Sequence, residues 1–214
     1  MLHIGLNIKG KNILIIGGGK IGERRLIKFL KFQANVTIIS PQFTKKIEEL
    51  AINNTQINLI EENVTLNSIE KYLKNIFLAS IVTDDFDFNM KMAKIIQDHG
   101  ILVNLAHHSE IADVMMAATI DYGEFTIGIL THGKSPLFAK LLKEKFQRTI
   151  SLNDLHWLKI QVFAREKAKE KIPSAEVRGK FLNNLFNDPA ISENIEKGLI
   201  ENAKQLILNK LEEI

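Results

Sequence analysis

The sequence predicts an α/β protein, in which a parallel sheet flanked by helices is followed by a small β-hairpin and helix and then by a helical carboxyl-terminal domain. Short apolar runs rich in β-branched residues alternate with amphipathic stretches through roughly the first hundred residues, the order expected of a doubly wound parallel sheet. Past that point two strand-like runs meet at Tyr122-Gly123-Glu124, and from Ser151 onward only helical patterning remains. These changes of pattern divide the chain into residues 1–112, 113–150 and 151–214.

Strands are expected over Asn12–Ile16, Asn35–Ser40, Ile57–Glu61, Ile76–Thr83 and Leu102–Leu105. Most are short continuous apolar runs, as strands covered on both faces should be. Helices are expected between them, over Gly22–Phe32, Thr44–Ile52, Ser68–Lys74 and Phe88–His99. Asn67-Ser68-Ile69-Glu70 reads as an N-cap with a glutamate in the capping-box position, and Gly100 fits the C′ position of the following helix. Val114–Asp121 and Phe125–Leu130 read as a hairpin. The next helix, Ser135 to Ile150, has Leu137, Phe138, Leu141, Leu142, Phe146 and Ile150 at helical spacing. A hairpin and one helix cannot bury both their faces alone, which marks this region as a candidate dimerisation element. Pro173 and Asn187-Asp188-Pro189 cut the helical remainder into three parts, Asp188-Pro189 being an N-cap followed by proline at the first helical position.

Composition narrows the function classes. With 28 basic and 25 acidic residues among 214, a net charge of +3 does not point to nucleic acid. No apolar run approaches the length of a membrane span, and residues Met1 to Gly10 lack the charge and apolar pattern of a secretory signal. The absence of cysteine excludes disulfides, thiolate catalysis and cysteine-ligated zinc or iron–sulfur clusters. A cytoplasmic protein with no resident metal is the expectation.

The chemistry-bearing motif lies near the amino terminus, where Ile13-Leu14-Ile15-Ile16 runs into Gly17-Gly18-Gly19-Lys20-Ile21-Gly22 and a helix. Glycines alone are a weak signal, but strand, glycine turn and helix together form the dinucleotide-binding fingerprint and make the first domain Rossmann-like. Gly17 is then the tight turn, Gly19 the point of close approach to a pyrophosphate, and Gly22 the place where helix packs on strand. Lys20 and Ile21 lie at the helix N-terminus that faces the phosphates. A ligand-free glycine turn is the plainer alternative. The fingerprint's acidic residue, about twenty positions on, should bind the adenosine ribose. Here Ile38-Ile39-Ser40-Pro41-Gln42 offers Ser40 instead, and nearby Lys45 and Lys46 leave a 2′-phosphate open.

Three further constellations stand where strands end. Thr83-Asp84-Asp85 places Thr83 and Asp84 in the cofactor region, with one aspartate free to cap the next helix. Asn104-Leu105-Ala106-His107-His108-Ser109 offers His107 for proton exchange, a solvent-exposed loop histidine being the alternative. Thr131-His132-Gly133-Lys134-Ser135-Pro136 reads as a helix entrance suited to an anion. The helix beyond it carries Lys140, Lys143, Lys145 and Arg148 against Glu144. That basic run is either a solvated face or a surface that attracts a polycarboxylate.

Together these residues resemble the precorrin-2 dehydrogenase family of sirohaem and cobalamin biosynthesis, which includes the dehydrogenase/ferrochelatase part of sirohaem synthase. The matching pieces are Leu6-Asn7-Ile8-Lys9-Gly10-Lys11, Gly17 through Arg25, Thr83-Asp84-Asp85 with Asn89, Val103-Asn104-Leu105, and Gly133-Lys134-Ser135-Pro136. They span roughly residues 1–150 in order and spacing, and the helical tail matches in character only. The resemblance implies a homodimer that uses NAD to oxidise precorrin-2, a tetrapyrrole, to sirohydrochlorin. It implies pyrophosphate contacts at Gly17, Gly19, Lys20 and Ile21, a ribose contact at Ser40, and a cofactor groove past Thr83 and Asp84. Asn104 and His107 then lie near the nicotinamide and macrocycle as the candidate catalytic pair, a dehydrogenase that works mainly by positioning being the alternative, and Thr131, Lys134 and Ser135 are the implied substrate contacts.

The chain also departs from the family. A catalytic aspartate commonly follows Asn-hydrophobic-hydrophobic in bifunctional members, and His107 holds its position here, with Ser109 where proline is usual. Thr131-His132-Gly133 stands where those members carry serine and a further glycine. Both departures weigh against iron insertion more than against dehydrogenation. Two alternatives stay open: a bifunctional enzyme in which His107 is the base for insertion of ferrous iron, and a non-catalytic NAD-sensing regulatory module. Such modules usually carry the acidic ribose residue that Ser40 replaces.

Overall fold

The computed structural model of the protein describes residues 2–106 and 110–213. Its first five strands are β1 (Asn12–Ile16), β2 (Asn35–Ser40), β3 (Ile57–Glu61), β4 (Leu78–Ile81) and β5 (Leu102–Leu105). All pair in parallel, in the order β3-β2-β1-β4-β5. Parallel neighbours need crossovers, and α1 (Lys20–Lys31), α2 (Lys45–Ile52) and α3 (Phe86–Asp98) supply three of them. Side chains alternate between the faces. Leu14, Ile16 and Ile81 pack with Met92 and Ile96 of α3, whereas Ile13, Ile15 and Ile38 pack with Leu26 and Phe29 of α1 and Ile47 of α2. Each such side chain, removed from water, contributes about 1.5–3 kcal/mol.

The crossover between β3 and β4 departs from the expected helix over Ser68–Lys74. It holds only a 3₁₀ turn, Ile69–Tyr72. Ser68 does not cap it: its hydroxyl accepts from the Thr65 N–H at 2.9 Å, and its own N–H donates to Thr65 Oγ1 at 3.2 Å. This local exchange competes with helix initiation. Elsewhere the boundaries move by a residue or two, except that the first hairpin strand begins at Ala118 rather than Val114. Helix α1 starts at Lys20 after Gly19, and α3 starts at Phe86 after Asp85, whose carboxylate accepts from the Phe88 N–H at 2.9 Å.

The hairpin is present as β6 (Ala118–Asp121) and β7 (Thr126–Ile129), an antiparallel pair. It is tied to one face of α1 by residues spaced three apart. The Arg25 guanidinium meets the Met116 thioether, Lys28 Nζ donates to the Ala117 carbonyl at 3.2 Å, and Lys31 pairs with Asp121 at 2.5 Å. Burial pushes the Arg25 pKa down, and burial together with Arg25 and Lys143 pushes Lys28 down.

Helix α4 (Pro136–Thr149) follows, and the chain divides within it into two compact units, Met1–Lys143 and Glu144–Ile214. The second unit is helical: α5 (Leu152–Lys171), α6 (Ala175–Phe186), α7 (Pro189–Glu196) and α8 (Ile200–Glu212). Its core gathers Ile160, Ala164, Ile191, Ile195, Ile207 and Leu211. Ser151 and Asp154 form a reciprocal capping box at its start. The sequence marks three parts here and the structure has four helices, because Gly198 at φ 71° separates α7 from α8.

Candidate functional site

In the order β3-β2-β1-β4-β5 the chain turns to opposite sides of β1, and a crevice opens at the carboxyl ends of β1 and β4. A cavity of about 770 Å³ lies there, within the size range of ligand sites. Its walls come from four strand ends: Gly17 to Gly19 after β1, Ser40 and Pro41 at the end of β2, Glu62 after β3, and Thr83 and Asp84 after β4.

The glycine turn is held by the protein's own hydrogen bonds. Gly17 N–H donates to the Ile39 carbonyl at 2.9 Å, and Thr44 N–H to the Gly18 carbonyl at 3.1 Å. Gly17 has φ 117°, and a Cβ there would come within 2.9 Å of the Val82 carbonyl, so both conformation and space require glycine. At Gly22 a Cβ would lie 2.1 Å from the Gly17 carbonyl oxygen, so its absence lets α1 close on β1. At Gly19 a Cβ would meet no atom of the described residues within 4 Å. The turn therefore leaves an open cradle at Gly19, beside the first amides of α1, which have no intrahelical partners. That cradle fits the pyrophosphate of a dinucleotide.

Glu23, in the first turn of α1, accepts from the Thr44 hydroxyl at 2.7 Å and from Lys20 Nζ at 3.2 Å. The Thr44 hydrogen bond and then Lys20 hold its carboxyl below the usual glutamate range. Thr44 also caps α2, accepting from the Ile47 N–H at 3.3 Å, so α1, α2 and the glycine turn are fixed to one another.

The loop after β4 is fixed by Asn89, a buried side chain of α3. The Thr83 hydroxyl lies 2.5 Å from Asn89 Oδ1, and Asn89 Nδ2 donates to the Thr83 carbonyl at 2.8 Å. On the far wall, Glu62 accepts from the Tyr72 hydroxyl and from Lys71 Nζ at 3.0 Å. Tyr72 first and Lys71 second keep its carboxyl below the usual range.

Of the residues expected to hold the cofactor, Gly17, Gly19, Ser40, Thr83 and Asp84 line the cavity. Lys20 and Ile21 begin α1 beside it without lining it, and Gly22 serves packing. Asn104 lies inside the sheet, 1% exposed. Its Oδ1 accepts from the Ser80 hydroxyl at 3.0 Å, and its Nδ2 donates to the Val114 carbonyl at 2.8 Å. It fixes β5 to the returning chain rather than facing the cavity. His107 lies outside the described residues. Thr131, Lys134 and Ser135 form the entrance of α4, away from the cavity walls: Ser135 Oγ accepts from the Phe138 N–H at 3.2 Å, and the Thr131 hydroxyl donates to the Ser135 carbonyl at 3.1 Å. Among the described residues no group of three or more His, Asp or Glu could hold a metal ion, and no helix is long and apolar enough to cross a membrane.

No motif marks the far wall, Glu62 to Asn67, as part of a site, and Asn67 is expected only beside a helix cap. Residues after any parallel strand reach the same edge as the glycine turn, but which strand ends beside Ser40 depends on strand order, which no local pattern states.

A family model described as "Putative NAD(P)-binding" matches residues 4–118, a span that contains every wall of the cavity. A "Putative precorrin-2 dehydrogenase" of Methanocaldococcus jannaschii is 32% identical over 206 residues, covering 94% of this chain and 97% of that protein. The chain belongs to the precorrin-2 dehydrogenase family. The precorrin-2 dehydrogenase likeness extends to longer proteins: a siroheme synthase of Psychromonas ingrahamii is 25% identical over 212 residues, which are 99% of this chain and 44% of the synthase. The chain thus spans less than half the length of that relative. The fold is shared with a solved structure, "SirC, precorrin-2 dehydrogenase", with a TM-score of 0.75 and 23% identity over 100% of both chains.

Proposed function

We propose that the protein is an NAD-dependent precorrin-2 dehydrogenase that oxidises precorrin-2 to sirohydrochlorin. The observation that carries this reading is the open glycine cradle at the switch point of a chain similar to a precorrin-2 dehydrogenase over 94% of its length. NAD, when bound, supplies the acceptor for the hydride. Every other part of the work falls to the chain. Gly17 to Gly19 and the first amides of α1 hold the pyrophosphate, Ser40 lies at the ribose end, and Thr83 with Asp84 shapes the groove beyond. Asn104 keeps β5 in register with β4 so that the segment following it leaves at a fixed point. His107, in that segment, takes the proton that departs with the hydride, imidazole being the side chain suited to proton exchange near neutrality. The corner of Thr131, Lys134 and Ser135, with the basic helix after it, attracts the substrate's carboxylates.

The working unit in this reading is a homodimer. On α4, Leu137, Phe138 and Leu141 are 67%, 53% and 53% exposed and share one face, an apolar surface that a second copy covers. A reducing cytoplasm suits a chain with no cysteine.

The test is anaerobic incubation of the protein with precorrin-2 and NAD, following NADH. NADH forms with the protein and not without it, and the His107→Asn variant lowers kcat by roughly 10²–10⁴-fold. No NADH above the enzyme-free control overturns the proposal.

A further inference from the structure

We propose that Glu62 sets the choice of dinucleotide, by accepting from the adenosine ribose hydroxyls of NAD and repelling the 2′-phosphate of NADP. This rests on the reading of the cavity as a dinucleotide site. The fingerprint's own acidic residue, at the end of the second strand, is missing, and Ser40 stands there. The fold brings a carboxylate to the same place by another route. Strand β3 lies beside β2 in parallel, with Ser40 level with Glu61. The next residue, Glu62, donates its N–H to the Ser40 carbonyl at 3.2 Å, and both residues line the cavity. A carboxylate one strand further out thus ends beside the serine that replaced it.

Its side chain is fixed by the crossover that follows. The 3₁₀ turn Ile69–Tyr72 supplies both Lys71 and Tyr72, which hold Glu62 by an ion pair of 3.0 Å and a hydroxyl hydrogen bond. These partners keep the carboxylate charged, and its two oxygens offer about four acceptor positions, enough for ribose hydroxyls as well. The remaining charges agree. None of the described residues lining the cavity is basic, whereas Glu62, Asp84 and Asp85 are acidic. Of the lysines close by, Lys20 pairs with Glu23 at 3.2 Å, Lys46 with Glu49 at 3.4 Å and Lys71 with Glu62 itself, and Lys45, the first residue of α2, does not line the cavity. A 2′-phosphate needs a cation, commonly an arginine, at this position; here it meets an anion.

The experiment is calorimetric titration of the whole protein with NAD and with NADP, repeated on Glu62→Gln, which keeps size and hydrogen bonding while removing the charge. The unaltered protein is expected to bind NAD at least roughly tenfold tighter than NADP, and Glu62→Gln to shrink that ratio by about tenfold. A merely structural role would weaken both dinucleotides together and leave the ratio alone. Equal affinities in the unaltered protein overturn the proposal without any variant, as does an unchanged ratio in folded Glu62→Gln. If the unaltered protein binds neither dinucleotide, the reading of the cavity falls and this assignment with it.

Discussion

A Cβ on Gly22 would sit 2.1 Å from the Gly17 carbonyl oxygen, whereas one on Gly19 would meet no atom of the described residues within 4 Å. The two glycines of one motif therefore answer different demands. Gly22→Ala drives a methyl into backbone that cannot yield cheaply, and is expected to cost about 1–3 kcal/mol of stability, read as a lower melting temperature. Gly19→Ala is expected to melt where the parent does but to bind NAD about tenfold more weakly, about 1.4 kcal/mol. Parent-like NAD affinity in Gly19→Ala would show that nothing approaches the cradle. At this scale the sequence marked one side of the candidate site. Gly17, Gly19, Ser40, Thr83 and Asp84 were legible because a local motif or a strand end announces each. Glu62 was not, because its place beside Ser40 depends on strand order, which no local pattern states. Asn104 was legible as a special residue but not as a buried one, since an asparagine in an apolar run can face either a ligand or the sheet.

Among the elements, the parallel strands were the most legible. Four of the five begin and end where the apolar runs do, and β4, buried at every residue, is shorter than its run by two residues at each end because the apolar stretch continues past the sheet pairing. The misjudged elements are those decided by single hydrogen bonds: the 3₁₀ turn, where Thr65 engages Ser68, and the break at Gly198, which has no proline to announce it. Helix α7 shows the opposite case, a cap written plainly in sequence. Asp188 accepts from the Ala190 and Ile191 N–H groups at 2.9 and 3.2 Å and pairs with Lys210 of α8 at 2.7 Å. The Lys210 hydrogen bond, then the two amides, place its pKa below the ordinary aspartate range, and the same bond raises that of Lys210. A depressed carboxylate stabilises fully above the unfolded pKa and loses that contribution as pH falls through the folded one. Asp188→Ala should therefore cost about 1–2 kcal/mol at neutral pH, measured by denaturant unfolding. The difference from the parent should shrink below the ordinary aspartate range. A difference that does not change with pH would mean that the charge contributes nothing.

For the whole molecule, the division at Lys143/Glu144 falls inside α4, so the helix that carries the exposed apolar face also links the two units. The sequence suggested a dimerisation region because a hairpin and one helix leave apolar surface uncovered, and Leu137, Phe138 and Leu141 are such surface. Analytical ultracentrifugation should give a dimer for the parent and a monomer for the double variant Phe138→Asp/Leu141→Asp; a monomeric parent would leave that face without its occupant. The central claim, however, is the reaction, and stoichiometry under anaerobic conditions tests it most directly. With limiting precorrin-2 and excess NAD, one NADH should appear for each sirohydrochlorin, at a rate proportional to protein concentration. Sirohydrochlorin forming without NADH, or neither forming above the enzyme-free control, would contradict it.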